Sequence, residues 1–117
     1  MRKPPVYKSF FNALRGIFLM IKWERNFQIE IMAFLINLFL IFYLKLTTTD
    51  TALILIVCFG VLAAEIFNTA IEKICDITHP EFDKRIGFIK DISAGAVLLM
   101  TIVSVITGVL IYWKYVF

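Results

Sequence analysis

Cysteine, histidine, proline and charge are all scarce in this chain, and each shortage removes a class of function. Its two cysteines, Cys58 and Cys75, stand too far apart for a CxxC metal clamp or redox pair and read as small apolar filler. The single histidine, His79, has no second His or Cys near it, so no zinc site is expected. Neither a GxxxxGK loop followed by Ser or Thr nor a kinase-type Gly-rich loop occurs, which excludes the two familiar backbone cradles for phosphate. There is no internal repeat and no low-complexity tract. Charged residues make up only 18% of the 117 positions and the net charge is +3; its distribution is that of a membrane anchor, and no nucleic-acid partner is expected.

What is abundant is apolar surface. Hydrophobic residues account for 61% of the chain and aromatics for 15%, far above a soluble domain of this size. A spanning helix needs about 20 apolar residues, so the length accommodates three spans and short connections within one all-α integral membrane domain, 1–117. The start of the chain, Met1-Arg2-Lys3 followed by Pro4-Pro5, lacks the short apolar run of a cleaved signal, so the spans are expected to direct the chain to the membrane.

Residues 5–22 carry a helical stripe of Val6, Phe10, Ala13, Leu14, Ile17, Phe18 and Ile21, while Lys8, Arg15 and Lys22 recur every seventh position on another face. This pattern predicts an interfacial helix with cations among anionic headgroups, the alternative being a first helix packed on protein, since an amphipathic stripe does not say what covers it. Spans are predicted at about 27–44, 51–77 and 92–113, the second capped by Thr49 or Asp50 and stopped by Pro80, the third ending in an interfacial Tyr112-Trp113 pair. Of the 12 Lys and Arg residues, all but Lys45 and Lys114 either precede the first span or, as Lys73, Lys84, Arg85 and Lys90, flank the connection between the second and third. That bias predicts the N-terminus and the 73–91 connection in the cytoplasm and the C-terminus outside.

The feature that this composition does not explain is "EIFNTAIEKICD". Glu65, Asn68, Glu72 and Asp76 are spaced i, i+3, i+7, i+11, one continuous helical stripe with Glu72 about 10 Å nearer the cytoplasm than Glu65. Ionisable groups in a span cost at least about 2.5 kcal/mol each and usually mark a functional path. A plainer explanation is interhelical hydrogen bonding with Lys73 or Lys90 as counter-ions. Glu24, in "KWERNF" before the first span, and Lys90-Asp91, before the third, can meet the cytoplasmic end of this stripe. Carboxylates from two helices with cations beside them suit Mg²⁺ carried on a nucleotide, although a Lys-Asp pair at a helix start is more often a simple cap. Two functions follow: a membrane lipid kinase, or a non-catalytic channel or assembly protein whose polar stripe lines a pore or a helix contact.

"ERNF", "EIFNTAIEKICD", "HPEFDKRIGFIKD" and "DISAGAVLL" together resemble the prokaryotic diacylglycerol kinase family, which includes undecaprenol kinases, over nearly the whole chain. The resemblance implies a homotrimeric enzyme of the bacterial inner membrane that moves the γ-phosphoryl of MgATP to a lipid alcohol at the cytoplasmic face. It implies Glu65 as general base, Glu24 and Glu72 as ligands of the nucleotide's Mg²⁺, and Asn12, Glu24, Glu72, Glu81, Phe82, Asp83, Lys90 and Asp91 as ATP contacts. It places Glu30, Glu65, Asn68 and Ala94 near the lipid. Asn12 and Pro5 stand where diacylglycerol-type members carry Tyr and Arg, with Lys8 a candidate substitute, and Ala94 stands where they carry Ser. Ala94, "ERNF" and "AGAV" look more like the undecaprenol kinases, so undecaprenol is slightly favoured over diacylglycerol.

Overall fold

The computed structural model describes residues 3–117, so Arg2, one of the orienting cations, lies outside the described residues. Four helices follow in order: α1 (Val6–Trp23), α2 (Arg25–Tyr43), α3 (Thr48–Thr78) and α4 (Lys84–Val116), with no strand among the described residues. The last three are long and apolar enough to cross a bilayer. The protein is therefore an all-α, multi-pass membrane protein with an amphipathic first helix.

α1 turns three different faces to its surroundings. Of its 18 residues only Met20 is buried, packed with Phe27 and Leu62, while Phe10, Leu14, Ile17, Phe18 and Ile21 are all exposed. On a helical projection these exposed side chains form one broad face, with Lys8, Arg15 and Lys22 along its border. The break between α1 and α2 is a single extended residue, Glu24 (φ −103°, ψ 113°). Gln28 fixes it: its amide donates to the carbonyls of Ile21 (2.9 Å) and Lys22 (3.2 Å), two acceptors that the end of α1 leaves free.

The α2–α3 turn closes with a reverse cap. Lys45 takes a left-handed conformation (φ 54°), and the Leu46 N–H reaches back to Ile41 O at 3.1 Å, the Schellman arrangement with Leu46 packed on the Ile41 cluster. The cap of α3 is Thr47, not Thr49 or Asp50: its hydroxyl accepts from Asp50 N at 3.2 Å. That correction has a physical cause, because the Asp50 carboxylate is engaged elsewhere. It accepts from Tyr115 Oη (2.7 Å) and Lys114 Nζ (3.0 Å), and Tyr115 Oη in turn accepts from Thr47 N (2.9 Å). This clasp joins the end of α4 to the start of α3.

α3 is the central element, packed against both α2 and α4. Ile54, only 1% exposed, lies between Ile41 and Ile111 in the core near the clasp. Ile54→Val should cost about 1 kcal/mol of stability through the methyl-sized void it leaves, read as a lower melting temperature in detergent at unchanged helical content.

α4 begins at Lys84, eight residues before the predicted span. Hydropathy located the apolar segment, but a helix also continues through polar sequence once it is capped, and Asp83 caps this one by accepting from Arg85 N at 2.8 Å. Lys90 and Asp91 are consequently in the second turn of α4 and are not its cap. At about 1.5 Å per residue, α3 and α4 run about 46 and 50 Å, against a hydrocarbon core of about 30 Å. Both must emerge well beyond one membrane face.

Candidate active site

The emerging end of α3 gathers the acidic residues. Its buried positions Ile54, Val57, Val61, Glu65 and Asn68 follow one helical stripe, so the same geometry that buries Val57 and Val61 buries a carboxylate one turn after Val61. Glu65 is 4% exposed and Asn68 7%, Glu72 is half-buried, and Asp76 is open to solvent. The stripe thus runs from apolar interior to water along a single ridge. Asn68 Nδ2 donates to Glu72 Oε1 at 3.3 Å, and Asn68 Oδ1 is buried without a partner.

α2 supplies the opposing wall. Glu24 enters from the α1–α2 break and pairs with Lys73 of α3 at 3.4 Å. Glu24, Glu72 and Glu30 all lie within electrostatic range of Glu65, and the Asn26 side chain neighbours its carboxylate. Glu30 Oε2 is buried and has no hydrogen-bond partner. Four carboxylates, from α2, the break before it and α3, thus lie near one another, and two buried oxygens beside them have no partner within the protein, a rare condition for buried polar atoms.

α4 contributes a cation at the rim: Lys90 Nζ bonds Asp76 Oδ1. Asp83 is held by Arg85, which donates to both of its oxygens at 3.2 and 2.9 Å, with His79 3.5 Å away. The Arg85 guanidinium is the main reason that the Asp83 carboxyl is lowered to about 2. Because its folded value is depressed, this cap contributes stability at every pH above the ordinary carboxylate range and loses it only as pH falls towards about 2. Asp83→Ala should lower the melting temperature at neutral pH, and the gap between variant and parent should close on acidification.

The structure therefore brings together Glu24, Glu30, Glu65, Asn68 and Glu72, with Lys90 at the edge. Asn12, Glu81, Phe82, Asp91 and Ala94 are exposed on this chain, and Asp83 is bonded to Arg85 of its own helix. Sequence reasoning missed Asn26 as a neighbour of Glu65, although it stands in the quoted "ERNF" one turn before Glu30. It offered Lys73 and Lys90 as counter-ions for the stripe without naming partners; Lys73 pairs with Glu24 and Lys90 with Asp76.

Comparison with known proteins gives the site its context. Residues 11–112 match the family described as prokaryotic diacylglycerol kinase. The chain is 34% identical to an undecaprenol kinase of Bacillus subtilis over 91% of its length and 86% of that protein's. It is 30% identical to the diacylglycerol kinase of Escherichia coli over 79% of its length and 75% of that protein's. With nearly all of its four helices inside the matched region, the chain belongs to the prokaryotic diacylglycerol kinase family.

Proposed function

We propose that this lipid kinase transfers the γ-phosphoryl group of MgATP to the hydroxyl of a membrane lipid alcohol, with undecaprenol slightly favoured over diacylglycerol. The observation that carries the reading is Glu65: a carboxylate buried at the point where α3 leaves the apolar core, with further carboxylates stepping outward to water. A lipid hydroxyl sits at that depth and a charged nucleotide arrives from the water beyond it. The greater likeness to the undecaprenol kinase, in identity and in coverage, supports the substrate preference.

In this reading Glu65 accepts the proton of the lipid hydroxyl as its oxygen bonds to the γ-phosphorus and the bond to the leaving nucleoside diphosphate breaks. Asn26 and Asn68 hold the carboxylates beside them in register. Lys73 and Lys90 sit where phosphate charge would collect, each now balanced by a carboxylate.

The donor set fits Mg²⁺. Among the described residues no group of three or more His, Cys, Asp or Glu side chains forms a metal cage, and Mg²⁺ is usually held by one or two carboxylates together with phosphate oxygens. Glu24 and Glu72 would hold it, with the unpartnered Asn68 Oδ1 as a further hard oxygen beside them. When bound, the ion neutralises charge on the phosphate oxygens.

The assay that tests the whole reading offers purified, reconstituted protein undecaprenol and diacylglycerol separately with MgATP. Phosphorylation of both, with a higher kcat/KM for undecaprenol, is expected; no transfer to either lipid refutes it. The remaining assignments are a bacterial inner-membrane location, a site at the cytoplasmic face and a homotrimer. With three spans and the cation bias, this reading has the N-terminus inside and the C-terminus outside, so a cysteine introduced at position 3 should react with an impermeant maleimide only after inside-out vesicles are made, and one at 117 only before. For self-association, Ala94 and Ala96 face outward and a side chain at Gly95 would meet no atom within 4 Å, which leaves room for close helix approach.

A further inference from the structure

A groove of about 390 Å³ runs between α2, α3 and α4, from Asn26 and Glu30 at one end, past Ala33 and Cys58, to Asn37 and Gly108 at the other. Along α2 this is 11 residues, or about 16 Å. The upper end opens beside Glu65, next to the unpartnered Glu30 Oε2.

Beyond the Asn26–Glu30 end, the groove's polar side chains bond within the protein. Thr101 Oγ1 donates to Val97 O, Ser104 Oγ to Thr101 O and Asn37 Nδ2 to Ala33 O, each at 2.8 Å. Asn37 Oδ1 accepts from Tyr112 Oη at 2.6 Å, a bond that crosses from α4 to α2 at the groove's lower end. Beyond Asn26 and Glu30 the lining is mostly apolar and its hydroxyls are bonded to backbone carbonyls, so the groove offers a guest chiefly dispersion contact, which suits a hydrocarbon and not a sugar.

We propose that the groove holds the part of the alcohol's hydrocarbon tail nearest the reacting hydroxyl, and that the Asn37–Tyr112 hydrogen bond is its floor, so that these two residues set how much tail the enzyme senses. The inference rests on the lipid-alcohol kinase reading of Glu65. Each carbon that enters the groove adds binding until the floor is met, and carbons beyond it add nothing.

The test uses the reconstituted full chain with a graded series of linear prenols from geraniol to undecaprenol. For the parent, kcat/KM should climb with tail length and then level off. Asn37→Ala and the milder Tyr112→Phe, which keeps the ring, should move the levelling point to longer prenols; Ala33→Phe should move it to shorter ones. For tails between the parent and shifted points the change should be about tenfold. An unmoved levelling point in all three variants overturns the proposal.

A second measurement needs no turnover. Alkylation of Cys58, half-buried in the groove wall, by N-phenylmaleimide is followed by mass spectrometry, with the buried Cys75 outside the groove as internal control. Long prenols without nucleotide should protect Cys58. Protection without any phosphoryl transfer would uphold the groove and refute the kinase reading; transfer without protection would do the reverse. Protection in the absence of prenol that disappears when the assembly is dissociated would assign the groove to a second copy of the chain and overturn the proposal.

Discussion

Glu65→Gln should lower kcat by about 10³-fold, within the 10²–10⁴ range that a positioned general base contributes, which corresponds to about 4 kcal/mol of transition-state stabilisation. The amide is nearly the same size and keeps an acceptor oxygen for its neighbours, but it cannot take a proton from the lipid hydroxyl. Because Glu65 is buried against three other carboxylates, removing its charge relieves repulsion in the fold. The variant should therefore assemble normally and melt no lower than the parent, so that lost activity is not mistaken for lost structure. Steady-state kinetics with saturating lipid and MgATP, together with size-exclusion elution and a thermal melt, make the measurement. Turnover within about threefold of the parent would remove Glu65 from the role of base.

Glu72→Gln should lower kcat/KM for the nucleotide by about 10²–10³-fold, the scale on which one electrostatic contact to transferring phosphate counts, and should raise the Mg²⁺ concentration needed for half-maximal rate. The amide oxygen of the new side chain can still accept from Asn68 Nδ2, as the carboxylate does at 3.3 Å, so the local fold should persist. Glu24→Gln is the companion variant. It leaves Lys73 without its partner, but that lysine side chain is 67% exposed, and an exposed pair of this kind contributes little to stability. If both carboxylates serve one ion, both variants should shift the Mg²⁺ requirement in the same direction, and the double variant should lose less than the product of the two single losses. A changed KM for the lipid with an unchanged Mg²⁺ requirement would reassign Glu72 to substrate positioning.

Composition and the length of the apolar runs already determined the helical, membrane-spanning architecture of this protein. The long apolar runs require spanning helices whatever their partners, because a backbone in hydrocarbon must satisfy its own hydrogen bonds, and the i, i+3, i+7 spacing of Glu65, Asn68 and Glu72 places them on one ridge by helix geometry alone. Where the sequence misled, a contact outside the hydropathy pattern decided. Thr47 caps α3 in place of Asp50 because Asp50 is held by Lys114 and Tyr115, more than 60 residues on. Lys90 and Asp91 lie inside α4 because the helix start is set by the cap at Asp83 and not by hydropathy. Only the tertiary structure could decide that Glu24 and Glu30 face Glu65 across the α2–α3 interface, or that Asn37 meets Tyr112 at the foot of a groove. Periodicity fixes which residues share a face of one helix, whereas the rotation and depth at which two helices meet depend on the packing of both.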